Sequence, residues 1–598
     1  MIRLLSGNEA LALGAYHAGV KVAAAYPGTP STEILESMAK FKDVYAEWST
    51  NEKVALEVAL GAAYAGARAM VSMKQVGLNV ASDPFMAAAT TGVNAGLVVV
   101  SADDPGIHSS QNEQDNRYYA RFAKVPMLEP SDSQEAYELM LRAFDISEEF
   151  DTPVLLRTTT RISHSKSAVK TERSRRVPDR PTGFQYDVTK YVMLPVHARL
   201  RQPQIAQRLA KLTAFAEGFP FNQVMWGERR LGIVTSGVAY QYAREIFPDA
   251  SFLKLGMTYP LAKKIIGDFA AQVERLIVIE ELEPFLEESI LAMGIKVSGK
   301  EFIPRGGELN PDIVEESARR AGWLAKSPPR KTMLAPPVLP QRPPLLCAGC
   351  PHTGLFFTLS SIGQRAKAKA APKLLIAGDI GCYTLATYPP LRAMDTTACM
   401  GAGIGQALGA EKAGVEQRVI AVIGDSTFLH SGITGLVDAV YNRGRITIII
   451  LDNNTTAMTG HQEHPGTGVT AQGQETNAVK LEDLVRGAGV SDVKVVDAFN
   501  LKDLRATVKN SLASPALSVI IVRGACPVNV PRRGEPFAVD IEKCNQCGIC
   551  LLTGCPAIQS ENGQVYVDTA MCVGDVCGVC EQLCPQKALG ESKAGVAK

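Results

Sequence analysis

The sequence predicts an α/β protein made of three doubly wound parallel-sheet domains, followed by a small two-cluster ferredoxin-like domain. Three observations carry this expectation. Apolar strand-length runs alternate with Ala-rich helical stretches over residues 1–185, 186–327 and 345–532. Such alternation builds a parallel sheet covered by helices on both faces. The segment Pro328–Pro344 is dense in proline and reads as a linker between the second and third stretches. Eight of the thirteen cysteines lie within residues 533–598, in two runs that each close on Cys-Pro.

In the first stretch the strand candidates are Val22–Tyr26, Ala69–Met73, Gly96–Val100 and Pro153–Arg157, with Val54–Ala65 among the helical stretches between them. Residues 166–187 are basic, contain proline and read as a linker. The second stretch places strands near Leu231–Thr235 and Leu276–Glu280. In the third, Arg418–Ser426 (RVIAVIGDS) is a β-branched strand ending in Gly-Asp-Ser. A helical stretch leads from it to a second strand, Ile446–Leu451, which ends in Asp452-Asn453-Asn454.

In a right-handed βαβ unit both strand ends open on one edge of the sheet. Asp425 and Asn453 are therefore expected to face each other. A carboxylate, an amide oxygen and a nearby backbone carbonyl are hard oxygen ligands, and two diphosphate oxygens and a water complete an Mg²⁺ shell around them. Gly-Asp-Ser alone also suits a helix cap. The run Met400-Gly-Ala-Gly-Ile-Gly405 has two readings: Gly401 and Gly403 offer backbone amides to a diphosphate, or they allow tight helix packing.

The tail cysteines are Cys544, Cys547, Cys550 and Cys555-Pro, then Cys572, Cys577, Cys580 and Cys584-Pro. Three closely spaced thiolates wrap one face of an iron–sulfur cube, and a distal Cys-Pro reaches across to the other cube. This gives one [4Fe-4S] set of Cys544, Cys547, Cys550 and Cys584, and a second of Cys555, Cys572, Cys577 and Cys580. Zinc is the rival ligand for Cys-x2-Cys pairs. The four-residue spacers Cys550–Cys555 and Cys572–Cys577 depart from the usual ferredoxin pattern.

Composition narrows the classes. A net charge of +1 gives no electrostatic argument for nucleic acid or an acidic membrane surface. The longest apolar runs are strand-length, far short of the ~20 residues a membrane span needs. The N-terminal segment has no secretory pattern, and clustered thiolates need a reducing compartment, so a cytoplasmic protein is expected.

Gly424-Asp425-Ser426, followed after 26 residues by Asn453-Asn454, resembles the thiamine-diphosphate motif Gly-Asp-Gly…Asn-Asn, with Ser426 in place of the second glycine. Tyr26-Pro-Gly-Thr-Pro-Ser31 and Asp452–Gln462 (DNNTTAMTGHQ) extend that resemblance to the 2-oxoacid:ferredoxin oxidoreductases over essentially the whole chain. Within the family the chain is most similar to the large subunits acting on aryl-2-oxoacids such as indolepyruvate.

The resemblance implies that residues 1–185 form a pyrimidine-binding domain and 186–327 a transketolase C-terminal-like domain. Residues 345–532 form the diphosphate domain and 533–598 the ferredoxin-like one. It implies that Thr29 contacts substrate, that Glu52 activates the cofactor, and that Gly424, Asp425 and Ser426 bind its diphosphate. Mg²⁺ falls to Asp425, Asn453 and the Thr455 carbonyl, with Asn454 as the alternative to Asn453. Arg121, rather than Arg117, matches the family's substrate arginine. Cys347, Cys350, Cys382 and Cys526 match a proximal [4Fe-4S] cluster, although Cys382 and Cys526 also suit plain buried packing. Cys399 has no partner in either scheme, and His461 and His464 stay outside the catalytic set.

The implied reaction is oxidative decarboxylation of a 2-oxoacid, with electrons passed singly through the clusters to ferredoxin and the acyl group taken by coenzyme A. The family's additional α/β domain has no segment here, which implies a separate smaller β subunit in an (αβ)₂ assembly. Pyruvate, 2-oxoglutarate, branched-chain oxoacids and arylglyoxylate are the alternative substrates. A non-catalytic electron-transfer subunit is the rival from another class.

Overall fold

Successive residues of a strand point to opposite faces of its sheet, so a strand apolar at every position needs cover on both sides. The computed structural model describes residues 1–171, 174–175, 183–324, 344–363, 373–529 and 534–591. The chain folds as two units, residues 1–333 and 334–598. Residues 328–343 of the expected linker lie outside the described residues.

The first unit contains β1 (Ile2–Ser6), β2 (Val22–Ala25), β3 (Tyr45–Trp48), β4 (Ala69–Lys74), β5 (Leu97–Asp103), β6 (Met127–Leu128), β7 (Val154–Thr159) and β8 (Lys166–Lys170). It continues with β9 (Gln223–Met225), β10 (Glu228–Ser236), β11 (Ala250–Leu255), β12 (Met257–Tyr259) and β13 (Leu276–Ile279). Its main sheet has seven strands in the order β12-β6-β7-β5-β4-β2-β3. Strands β2 to β7 run parallel. Ala23, Val98, Val100, Val154 and Leu156 enter one core, and Ala24, Val71, Val99 and Leu155 enter the other. That alternation is the doubly wound pattern.

A second sheet, β13-β10-β11-β9, is parallel except for β9. It does not begin where the sequence suggests. The helix Pro195–Glu217 packs on the first domain, with Leu212 and Ala216 in its core. Arg201 donates to the carbonyls of Thr90 and Thr91 at 3.0 and 2.8 Å, and Arg208 to that of Ala89 at 2.6 Å. The second segment also gives β12 to the first sheet, antiparallel to β6. Lys166–Lys170, expected within a linker, instead pairs with β1 as β8. Edge strand β3, charged and short, had no strong sequence signal.

The two sheets of this unit share a buried ion-pair network. Arg117, only 1% exposed, pairs with Asp115 at 2.6 Å and Glu280 at 2.5 Å, and donates to the Glu281 and Glu283 carbonyls at 2.8 Å. Arg157 pairs with Asp103 at 2.7 Å and Glu129 at 2.5 Å.

The second unit carries a five-stranded parallel sheet, β14-β15-β16-β18-β17. Its strands are β14 (Leu374–Ala377), β15 (Arg418–Gly424), β16 (Thr447–Asp452), β17 (Asp492–Asp497) and β18 (Ser518–Arg523). Ile420, Val422, Ile449 and Ile520 face one core, and Ala421, Ile423, Ile448 and Ile521 the other. The tail forms two antiparallel ribbons, β19 (Phe537–Val539) with β22 (Leu589–Glu591), and β20 (Ile558–Glu561) with β21 (Gln564–Val567). Among the described residues no helix is long and apolar enough to cross a membrane.

Removing one partner of a buried ion pair strands the other charge. Arg117→Met should therefore cost about 3–5 kcal/mol in urea unfolding of the full chain. Exposed Arg121→Met should stay within about 0.5 kcal/mol of the wild type in the same measurement.

Candidate active site

Parallel strands direct their C-terminal loops to one edge, and in the first unit β2, β3 and β4 are neighbours there. The loop after β2 carries half-buried Thr29 and is held by the Gly28 amide donating to Thr32 Oγ1 at 3.0 Å and by Ser31 Oγ donating to the Gly28 carbonyl at 2.8 Å. Glu52 opens the helix Glu52–Tyr64, whose N-cap Asn51 accepts from the Val54 amide at 2.9 Å. Its side chain is 4% exposed and lies over Gly77, where a methyl group would come within 2.8 Å of Glu52 Oε1. Lys74, the last residue of β4, packs its stem on Gly28 and places its ammonium in the field of Asp104 and Glu52.

Arg121 does not join this group. It is exposed in the last turn of the helix Arg117–Ala123, and its charge acts on Tyr259. Tyr259 pairs with Met127 at the start of β6, the opposite end of the parallel strands from Thr29 and Glu52. The spacing match to Met127 thus corresponds to a surface position at the wrong edge of the sheet. Arg117 is committed to the ion-pair network.

In the second unit β15 and β16 are parallel neighbours, and their ends meet as the βαβ argument requires. Asp425 is 3% exposed and its carboxylate organises both loops. Oδ1 accepts the Ser426 amide at 2.7 Å, and Oδ2 accepts the amides of Asn453 at 3.1 Å and Asn454 at 2.8 Å. Asn453 is buried, and its Oδ1 accepts the Thr455 amide at 3.3 Å. Asn454 takes a left-handed backbone, φ 57°, and is exposed. Thr456 Oγ1 donates to Ser426 Oγ at 2.9 Å, closing the loop over the strand end. Gly424 leaves room for Tyr383, whose Cε1 would lie 2.8 Å from a methyl group there.

In the loops around Asp425, two buried polar atoms have no hydrogen-bond partner among the described residues, Thr455 Oγ1 and His464 Nε2. His464 Nδ1 accepts the Gly466 amide at 3.0 Å, which puts the ring proton of the neutral tautomer on Nε2. Nε2 lies 3.4 Å from Asp425 Oδ2 but outside hydrogen-bond geometry. Buried polar groups are rarely left unmade, so these atoms fit a site completed by a polar ligand. In the sequence His464 is a loop histidine and carries no signal of its own.

Gly401 and Gly403 do not offer their amides to a diphosphate. Both donate to fully buried Asp379, at 2.9 Å to Oδ1 and 3.0 Å to Oδ2, and burial pushes that carboxyl up to about 6. A methyl on Gly403 would meet the Gly378 carbonyl oxygen at 2.9 Å, so the run serves tight helix packing.

The cysteines lie close to one another in groups. Cys544, Cys547, Cys550 and Cys584 line one small cavity. Burial and then neighbouring thiols push Cys577 up to about 11 and Cys580 up to about 12, with Cys555 and Cys572 the neighbours of both. Burial and then Cys347 and Cys526 push Cys382 up to about 11, and Cys350 is raised further in the same company. Cys399 is exposed and stays outside all three groups. The Cys526 amide donates to the Asn453 carbonyl at 3.3 Å, and Cys526 Sγ lies 3.9 Å from His461 Nδ1. Among the described residues no three His, Cys, Asp or Glu side chains are arranged to hold a single metal ion. A cavity of about 1090 Å³ opens between Asp452, Asn454 and Arg523 at the strand ends and Val573 and Cys577 of the tail.

Comparison with known proteins agrees with this layout. Residues 13–208 match the thiamine-diphosphate-binding family of pyruvate flavodoxin/ferredoxin oxidoreductases. Residues 379–522 match the C-terminal TPP-binding domain of thiamine pyrophosphate enzymes. The indolepyruvate oxidoreductase subunit IorA of Methanothermobacter marburgensis is 42% identical, over 98% of this chain and 96% of its own. The IorA subunit of Archaeoglobus fulgidus is 40% identical, over 99% and 97%. The 2-oxoglutarate synthase subunit KorA of Methanothermobacter thermautotrophicus is 30% identical, over 29% of this chain and 48% of its own.

Proposed function

The chain belongs to the indolepyruvate oxidoreductase IorA family, and from that premise we propose that it oxidatively decarboxylates an aryl-2-oxoacid of the indolepyruvate or phenylpyruvate type. Coenzyme A takes the acyl group, and electrons leave through three [4Fe-4S] clusters to ferredoxin. The observation that carries the proposal is the bond from the Cys526 amide to the Asn453 carbonyl. It ties a proximal thiol to the loop around Asp425, so the metal site and the first electron acceptor belong to one rigid feature.

Bound thiamine diphosphate supplies the electron sink for decarboxylation, with its diphosphate held through Mg²⁺. Asp425, the Asn453 side chain and the Thr455 carbonyl would hold that metal, and Gly424 and Ser426 would border the diphosphate. His464 Nε2 and Thr455 Oγ1 are the unmatched polar groups available to it. The Glu52 carboxylate would accept a hydrogen bond from the cofactor's pyrimidine ring N–H, the contact that favours the imino form able to act as a base. Thr29 offers its hydroxyl to the substrate.

Buried thiols with raised pKa values ionise when iron compensates the charge, which is what cluster ligation does. Four thiols sharing a cavity suit a cube better than one zinc at ~2.3 Å from every sulfur. A smaller β subunit completes the enclosure in an (αβ)₂ assembly within the cytoplasm. The aryl preference rests on the IorA relatives.

Glu52→Gln should keep its iron and bind the cofactor yet lose roughly a hundredfold or more in turnover. Gly77→Ala, which displaces the Glu52 carboxylate, should show the same pattern, and full activity in either variant would reject the role. Across a panel of 2-oxoacids with coenzyme A and a one-electron acceptor, arylpyruvates should give the highest kcat/KM. A preference for pyruvate would overturn the aryl assignment. Anaerobically purified protein should hold about twelve irons per chain, and Cys382→Ser about eight. Eight in the wild type would remove the proximal cluster.

A further inference from the structure

A 2-oxoacid presents a carboxylate that a site must meet with a cation or strong donors, and Arg121 lies at the wrong edge of its sheet for this. Lys74 lies at the right one. It ends β4 between the Thr29 loop after β2 and the loop that follows β5. A methyl on Gly28 would fall 3.1 Å from the Lys74 Cγ and Cδ, so the stem lies directly against the residue preceding Thr29. Nζ donates to the Ser109 carbonyl at 2.6 Å, its single hydrogen bond among the described residues. An ammonium carries three donors, which leaves two uncommitted.

Lys74 also has no ion pair within 4 Å among the described residues. Asp104, the acid with the largest influence on it, is committed elsewhere. Its Oδ2 accepts from the Ser109 amide at 2.8 Å and Ser110 Oγ at 2.7 Å, and its Oδ1 from Thr160 Oγ1 at 2.8 Å. Burial disfavours the ammonium, and Asp104 and Glu52 only oppose that effect from a distance. A half-buried cation without a counter-ion, beside a substrate-contacting threonine, is arranged to receive an anion.

We infer that Lys74 binds the carboxylate of the 2-oxoacid, the role that family resemblance assigns to Arg121. The inference rests on the 2-oxoacid reading above. The acidic neighbours serve it as well: they oppose the effect of burial on the ammonium while leaving two N–H donors for the substrate.

The test uses the complete holoenzyme with Lys74→Met and Lys74→Arg, and two competitive inhibitors, 3-indolepropionate and its uncharged primary amide. Loss of a charge-assisted hydrogen bond should raise KM for indolepyruvate by about tenfold to a hundredfold in Lys74→Met. Inhibition by the carboxylate should weaken by the same factor, and inhibition by the amide should stay as in the wild type. Lys74→Arg should restore most of the loss, and iron content and thiamine diphosphate affinity should not move. Unchanged inhibition by 3-indolepropionate in Lys74→Met would overturn the inference, as would an equal loss of cofactor affinity. A wild type that turns over no 2-oxoacid would instead remove the underlying functional reading, and this inference with it.

Discussion

The second unit depends on one buried carboxylate accepting three backbone amides. Asp425 draws the Ser426, Asn453 and Asn454 N–H groups to a single point, which brings the ends of β15 and β16 together. Charged hydrogen bonds of this kind are among the strong ones in a protein, and a buried carboxylate without them would be costly. The Asn453 carbonyl shares a peptide plane with the Asn454 amide, so the bond of that amide to Asp425 directs the carbonyl the other way, where it accepts from Cys526. Cys526 is therefore tied to the same bonds that shape the Asp425 loop.

The two chemical regions of this unit both bury polar groups beyond what the protein alone satisfies. Burial raises the thiols of Cys350, Cys382, Cys577 and Cys580, and neighbouring thiols raise them further. In the loops around Asp425, two polar atoms are left without partners among the described residues. Metal bound by those thiols would compensate their ionised form and stabilise the fold. In the first unit Lys74 carries a charge that no acid pairs within 4 Å among the described residues.

Residue spacing revealed the features that one strand–turn–helix–strand segment contains. Gly424-Asp-Ser and Asn453-Asn454 are neighbours because a βαβ unit has few ways to fold, and the tail cysteines group because short spacers restrict them. Features that depend on which sheet a strand joins were not legible. Nothing local marks Met257–Tyr259 as an edge strand of the first sheet, or Pro195–Glu217 as part of its cover. Arg121 failed for a related reason: its distance from Met127 along the chain is right, but the helix carries it to the surface. The amides of Gly401 and Gly403 look free in the sequence, because Asp379, which takes both, lies more than twenty residues earlier. Lys74 and His464 are ordinary in sequence, and only their packing singles them out.

The most direct test of the Asp425 loop as the metal–diphosphate site is electron paramagnetic resonance of Mn²⁺ substituted for Mg²⁺, titrated with and without thiamine diphosphate. Wild-type protein should bind Mn²⁺ tightly only in the presence of the cofactor. Asp425→Asn should lose that binding, whereas Asn454→Ala, altered at an exposed side chain, should retain it. Cofactor-dependent Mn²⁺ binding that survives in Asp425→Asn would contradict the account.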